Sequence, residues 1–235
     1  RQMTSRVAAL HFAPTDVNKK ALLKEDIAEN KIHVVGNTVI DALFCLSKEV
    51  IENSEKFYEE KGIRIDDKLV LITAHRRENH GERIDRIIEA ISFLAKKYTD
   101  HTFVIPVHQN PNVKNKIHER LVNFSNIHLL TPLDYPYLVY LMKHAKLILT
   151  DSGGIQEEAP SFACPTLVMR YETERKEGVE AGVSKLVGAD YDKILAESEK
   201  VLSSTKENTR LKAQNPYGDG TASIQIEKIV REYFA

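Results

Sequence analysis

The sequence predicts an α/β protein, a doubly wound parallel sheet with helices on both faces. Two observations carry that prediction. Short apolar runs such as LVLITA (69–74), TFVIPV (102–107) and KLILT (146–150) are near-continuous rather than alternating, as strands buried on both faces must be. Between most such runs lie stretches with helical periodicity, and strand–helix alternation builds parallel sheets.

Taken in order, strands are expected at 6–12 (RVAALHF), 31–35, 69–74, 102–107, 127–130, 146–150, 165–169 and 184–187. The clearest helix is 82–98, where Ile84, Ile87, Ile88, Ile91, Leu94 and Ala95 share one stripe. A helix over 38–51 opens with Thr38 as N-cap, ahead of Val39, Ile40, Leu43 and Phe44. Pro111 suits the first turn of another, and 134–144 and 219–233 complete the set. No internal repeat, low-complexity tract or Pro/Ser-rich linker breaks the pattern.

The 235 residues suffice for one large domain or two small ones. With 33 basic against 34 acidic residues, there is no electrostatic footprint for nucleic acid or an anionic membrane. No apolar run approaches the roughly 18 residues of a membrane span, and RQMTSR lacks a signal peptide's apolar core. The expectation is a cytoplasmic protein with no nucleic-acid or membrane partner. Cys45 and Cys164 stand far apart, outside any CxxC spacing, and are expected as reduced thiols. The nine histidines show no HxxxH or HxH pairing, so no metal site is expected.

Ligands of such sheets sit beyond the carboxyl ends of the strands, which directs attention to four loops. His75-Arg76-Arg77-Glu78-Asn79 follows 69–74 and precedes a helix. Cations there oppose a helix dipole that favours anions by about 0.3–1 kcal/mol, so the arginines read either as clamps for an incoming anion or as solvated residues of a surface loop. His108, after 102–107, is either a ligand contact or a polar loop residue. In Asp151-Ser152-Gly153-Gly154 two glycines either let the backbone turn sharply and approach a ligand, with the helix beginning there pointing free N–H groups at the same spot, or form a glycine-rich strand-to-helix turn with no ligand. Glu158, one turn on, either accepts from a vicinal diol such as ribose or is an acid stabilised by the helix dipole. The loop from Arg170 to Gly178 reads alone as an ion-paired turn. Together the loops favour a phosphorylated ligand.

Six runs, HFAPT (11–15), GNTVIDAL (36–43), HRREN (75–79), DSGGIQEEAP (151–160), ETERKEGVEAG (172–182) and NPYGDG (215–220), span nearly the whole chain. In this order they resemble the non-hydrolysing UDP-N-acetylglucosamine 2-epimerases, which have the two-domain GT-B architecture. The resemblance implies interconversion of UDP-GlcNAc and UDP-ManNAc by UDP elimination and re-addition, with no cofactor, in polysaccharide biosynthesis. It implies that Ser152, Gly153 and Gly154 form the diphosphate-binding turn and that Glu158 grips the ribose hydroxyls. Arg175 then contacts the diphosphate side, and His75 lies at the catalytic centre near the phosphates. Leu133 and Leu138 fall where the family lays backbone against uracil. Arg76 and His108 match positions that in some bacterial members contact a second, activating UDP-GlcNAc. Two departures are Lys176, where the family usually has proline, and Tyr171, where it has aspartate.

In that family the remaining acid/base carboxylates come from an N-terminal Rossmann domain. Residues 1–35 resemble only its last strand and helix, and 36–235 are expected as the C-terminal UDP-binding domain, with helix 219–233 crossing back. The chain is thus expected to supply the UDP-binding half, to be inactive in isolation, and to form a homodimer in the full-length protein. Alternatives are a hydrolysing epimerase that releases UDP and free N-acetylmannosamine, the donor domain of a GT-B glycosyltransferase, and a non-catalytic nucleotide-binding module.

Overall fold

A computed structural model describes residues 2–211 and 214–235. The chain divides into two units, one comprising the residues through Leu46 together with Asn215–Ala235, the other Ser47–Gln214.

In the first unit α1 (Gln2–Val7) leads to β1 (His11–Ala13), α2 (Asp16–Leu23), β2 (Ile32–Val34) and α3 (Thr38–Phe44). The two strands pair in parallel, His11 opposite Ile32, over a small core of Ala13, Ile27 and Ile32. The runs GNTVIDAL and NPYGDG are neighbours here. Asn37 N–H donates to the Tyr217 carbonyl at 2.7 Å, and Gly36, at φ +89°, lies so near Gly218 that a Cβ would sit 3.3 Å from its Cα. The Asp41 carboxylate accepts from the N–H groups of Ala222 (3.3 Å) and Ser223 (2.7 Å). These open the helix Ala222–Phe234, whose own Thr221 makes no side-chain cap. Asp41 thereby satisfies orphan donors that any helix start carries.

The second unit runs α4 (Lys48–Glu60), β3 (Leu69–Thr73), α5 (Glu82–Lys97), β4 (Thr102–Pro106), α6 (Pro111–Leu121), β5 (Ile127–Leu130) and α7 (Tyr135–His144). It continues with β6 (Leu147–Thr150), α8 (Gly153–Glu158), β7 (Thr166–Val168), α9 (Lys176–Glu180), β8 (Ser184–Leu186), α10 (Tyr191–Leu202) and α11 (Lys206–Thr209). Six strands form one sheet in the order β5-β4-β3-β6-β7-β8, every pair parallel. The expected apolar stripe of α5 is buried against Val70, Ile72, Phe103, Ile105, Leu147 and Leu149. Strand order reverses between β3 and β6, with Thr73 opposite Thr150 at their carboxyl ends. That reversal is the switch point at which doubly wound sheets open a crevice for ligands. α7, one wall of the crevice, is braced by α4. The fully buried Tyr58 donates its hydroxyl to the Tyr137 carbonyl at 2.9 Å, and Phe57 stacks on the Tyr137 ring.

Two expected elements differ. The run 6–12 is not one strand, since Arg6 and Val7 belong to α1 and only His11–Ala13 pairs. β2 offers three ladder partners, and upstream backbone groups bond helically instead, as Ala8 N–H does to the Thr4 carbonyl. The helix expected over 38–51 is two helices. Ser47 starts the second by accepting from Val50 N–H, and Asn37, not Thr38, caps the first by accepting from Val39 N–H. Both residue types are favoured caps.

Candidate functional site

The chemistry at the switch point is organised by a carboxylate to which no role attaches in the sequence. Asp151 directly follows β6 and is 0% exposed, and a buried carboxylate needs donors. It accepts from the backbone N–H of His75 (3.1 Å to Oδ1, 2.9 Å to Oδ2), the backbone N–H of Arg76 (2.9 Å) and Asn79 Nδ2 (3.0 Å). His75 Nδ1 stands 3.1 Å from Oδ1. Burial alone would raise the Asp151 pKa; the bonds from His75, Arg76 and Asn79 outweigh it and hold the group below the usual carboxylate value. Asn79 also donates to the Met169 carbonyl at 3.0 Å, tying the loop after β3 to the residue that follows β7. With Nδ1 facing a carboxylate, the imidazole keeps Nε2 for a ligand. The His108 ring lies over it at 5.7 Å and 21°.

Of the two glycines, Gly153 matters for clearance rather than for a turn. Neither has a left-handed φ. A Cβ on Gly153 would lie 3.1 Å from Arg175 Cζ and 3.2 Å from Arg76 Nη2, so two guanidinium groups close directly on the backbone. Arg175 Nε donates to Glu157 Oε1 at 2.9 Å, and its Nη1 meets Glu174. Arg76 Nη2 is 3.7 Å from the same Glu174 oxygen. Arg170, only 8% exposed, bonds Glu78 Oε1 at 2.5 Å and Glu174 Oε2 at 2.9 Å. Glu174 thus joins three arginines.

The arginines precede α5 as expected, though not directly. A single 3-10 turn, Arg77–Asn79, follows Arg76, and α5 starts only after Gly81. α8 is six residues long, so its dipole is small and the guanidinium groups are the stronger source of positive field for an anion.

Glu157 and Glu158 part company. Glu157 turns to Arg175; Glu158, 6% exposed, turns to a cavity of about 340 Å³. It occupies the last turn of α8, the end that disfavours negative charge, so the dipole does not stabilise it. Burial pushes its pKa up to about 7; the Tyr135 hydroxyl, donating to Oε1 at 3.1 Å, works against that rise and Glu157 adds to it. His75, His108, Leu133, Leu138, Ser152, Gly154 and Glu158 all line this cavity. Gly153, Arg76 and Arg175 cluster beside it without lining it. Tyr135, Asp151 and Asn79 are additions to the residues the sequence singles out. An aspartate directly after a largely apolar strand is the available signal for one of them.

Among the described residues no group of three or more His, Cys, Asp or Glu is placed to hold a metal ion, and no helix is long and apolar enough to cross a membrane. Burial pushes the Cys164 thiol up to about 12, which leaves it inert at neutral pH.

Residues 1–231 match the family model of UDP-N-acetylglucosamine 2-epimerase. A UDP-N-acetylglucosamine 2-epimerase of Campylobacter jejuni is 46% identical, the match covering 98% of this chain and 62% of the relative. The crystal structure of UDP-GlcNAc 2-epimerase from Neisseria meningitidis bound to UDP-GlcNAc superposes with a TM-score of 0.87 at 44% identity, over 98% of this chain and 64% of that one. The Methanocaldococcus jannaschii enzyme in complex with UDP-GlcNAc and UDP gives 0.82 at 34% identity, over 97% and 62%. The chain therefore spans under two thirds of the length of these relatives, from 62% to 64%. From sequence and fold alike, it belongs to the UDP-N-acetylglucosamine 2-epimerase family.

Proposed function

We propose that this chain is the UDP-binding part of an enzyme that interconverts UDP-GlcNAc and UDP-ManNAc. One observation supports the reading above the others: at the switch point a carboxylate–hydroxyl pair between apolar walls adjoins two guanidinium groups closing on Gly153. A nucleoside suits the first feature and a diphosphate the second. Uracil lies along Leu133 and Leu138, the ribose diol on Glu158, and the diphosphate on Ser152, Gly153, Gly154 and Arg175.

The reaction removes the C2 proton as UDP leaves C1, giving a 2-acetamidoglucal, and UDP returns after reprotonation on the other face. Charge on the departing diphosphate is met by Arg175 and by His75, oriented through Asp151. Charge-assisted bonds of this kind contribute about 1.5–3 kcal/mol each, and they also retain UDP until it re-adds. Retention is what separates this reading from a hydrolysing epimerase. His108, stacked on His75, and Arg76 are suited to a second, activating UDP-GlcNAc.

The carboxylates that handle the C2 proton belong, by the resemblance, to an N-terminal domain of which 1–35 is the end, while 36–235 binds UDP. The 235-residue chain therefore binds UDP without epimerising, because proximity worth about 7–11 kcal/mol is missing. The full-length protein acts in the cytoplasm as a homodimer, with no nucleic-acid partner. Calorimetric titration with UDP, and proton NMR of the sugar signals after incubation with UDP-GlcNAc, test the proposal. Saturable UDP binding is expected. Absence of binding overturns it; epimerisation by the chain alone overturns the placement of the carboxylates; free N-acetylmannosamine shows the hydrolysing form.

A further inference from the structure

Tyr135 opens α7, behind Asp134 and ahead of Pro136, so the helix start sets the direction of its backbone. Its ring lines the cavity, and its hydroxyl spans from α7 to α8 to reach Glu158 Oε1 at 3.1 Å. Oε2 of Glu158 has no donor among the described residues. An ionised carboxylate has about four acceptor positions, and Tyr135 uses one of them.

We propose that Tyr135 is a specificity-determining residue: by holding Glu158 through Oε1, it presents the carboxylate to a vicinal diol and disfavours nucleosides that lack one hydroxyl. The inference rests on the reading that this cavity takes the nucleoside of UDP. A buried acceptor fixed in one orientation loses a partner when a hydroxyl is missing and cannot swing to another, which is how polar sites reject deoxy analogues. Released from Tyr135, Glu158 can rotate, and the discrimination relaxes. The hydroxyl also favours the ionised carboxylate, so its loss moves the pH at which Glu158 becomes an acceptor upward. The other ionisable groups around Glu158 are accounted for. Glu157 is paired with Arg175, and across the cavity are His75, beside Asp151, and His108, whose Nδ1 accepts from Asn110 N–H.

The experiment is calorimetric titration of the 235-residue chain with UDP and with 2′-deoxy-UDP between pH 5.5 and about 8.5, a span around the neutral pKa of a perturbed carboxyl. Tyr135→Phe, Glu158→Gln and the double variant are compared with the parent. Tyr135→Phe is expected to weaken UDP about tenfold at neutral pH, to leave 2′-deoxy-UDP within about twofold, and to move the pH midpoint of UDP binding upward. In the Glu158→Gln background the same change is expected to do nothing further. A folded Tyr135→Phe chain with unchanged UDP preference and midpoint overturns the role of Tyr135, and so does a further loss in the double variant. A parent chain that binds both nucleotides equally, or neither, overturns instead the nucleoside reading beneath it.

Discussion

Asp151 and His75, 76 positions apart, meet three times: both carboxylate oxygens accept from the His75 backbone N–H, and Oδ1 stands 3.1 Å from its Nδ1. One buried side chain thus fixes the path of the loop after β3 and the orientation of the imidazole it carries.

Asp151→Asn tests how far that loop depends on charge. The amide keeps the shape but points an NH₂ group at backbone donors, leaving at least one of them unsatisfied. A stability loss of roughly 3 kcal/mol is expected, in the range for breaking a buried charged hydrogen-bond network, and urea denaturation measures it. Because the folded carboxyl titrates below its ordinary value, its contribution is present above the unfolded pKa and lost as pH falls through the folded one. The acid limb of the stability curve should therefore be shallower in the variant. An unchanged limb removes Asp151 from that role.

Gly153→Ala separates clearance from conformation. The φ of Gly153 is not left-handed, and the atoms a Cβ would press are the mobile ends of Arg175 and Arg76. Alanine is expected to leave the melting temperature nearly unchanged and to weaken UDP at least about tenfold, the equivalent of one charge-assisted phosphate contact. Valine at the same place, β-branched in the first turn, costs more in stability as well. Parent-like UDP affinity in the alanine variant means the phosphates lie elsewhere.

Arg175→Ala distinguishes the two ends of the ligand. The guanidinium stands beside Gly153 and is held by Glu157 and Glu174, without lining the cavity that Glu158 lines. UDP should weaken by about 1.5–3 kcal/mol and uridine hardly at all. Parallel titrations decide, and equal losses place Arg175 off the diphosphate.

Much of the candidate site is legible in the sequence, and the remainder has a common cause. β3, β4 and β6 declare themselves as continuous apolar runs, and α5 through its stripe, because burial on both faces or on one leaves a local period. The loops then follow from chain order. Asp151 to His75 and Tyr135 to Glu158 are pairings across the fold, and no local pattern records which donor a buried acid will find. The same gap explains 6–12: its apolar composition suits a strand, but three ladder partners on β2 limit the strand to His11–Ala13. Gly153 reads in the sequence as a sharp turn, whereas in the structure it is the close approach of two side chains that leaves no room for a Cβ.

Glu158→Gln should stabilise the protein in a pH-dependent way while weakening its ligand. Burial raises the folded pKa of Glu158 to about 7, above the value of about 4.3 for an exposed glutamate. The folded chain therefore holds this proton over a range in which the unfolded chain has released it. The resulting stability is complete below about pH 4, declines as pH rises through the folded pKa, and is flat beyond it. At about 1.4 kcal/mol per pKa unit the full decline is on the order of 4 kcal/mol. Glutamine has no proton to lose, so the stability difference in its favour should grow between pH 5 and about 8 by roughly 2–3 kcal/mol. Over the same range the parent gains UDP affinity as its carboxylate ionises, and the variant does not. Chemical denaturation of both chains across that range, with UDP titrations alongside, is the measurement. Parallel stability curves would mean that Glu158 is ionised throughout, and that the cavity holds a carboxylate at no cost to the fold.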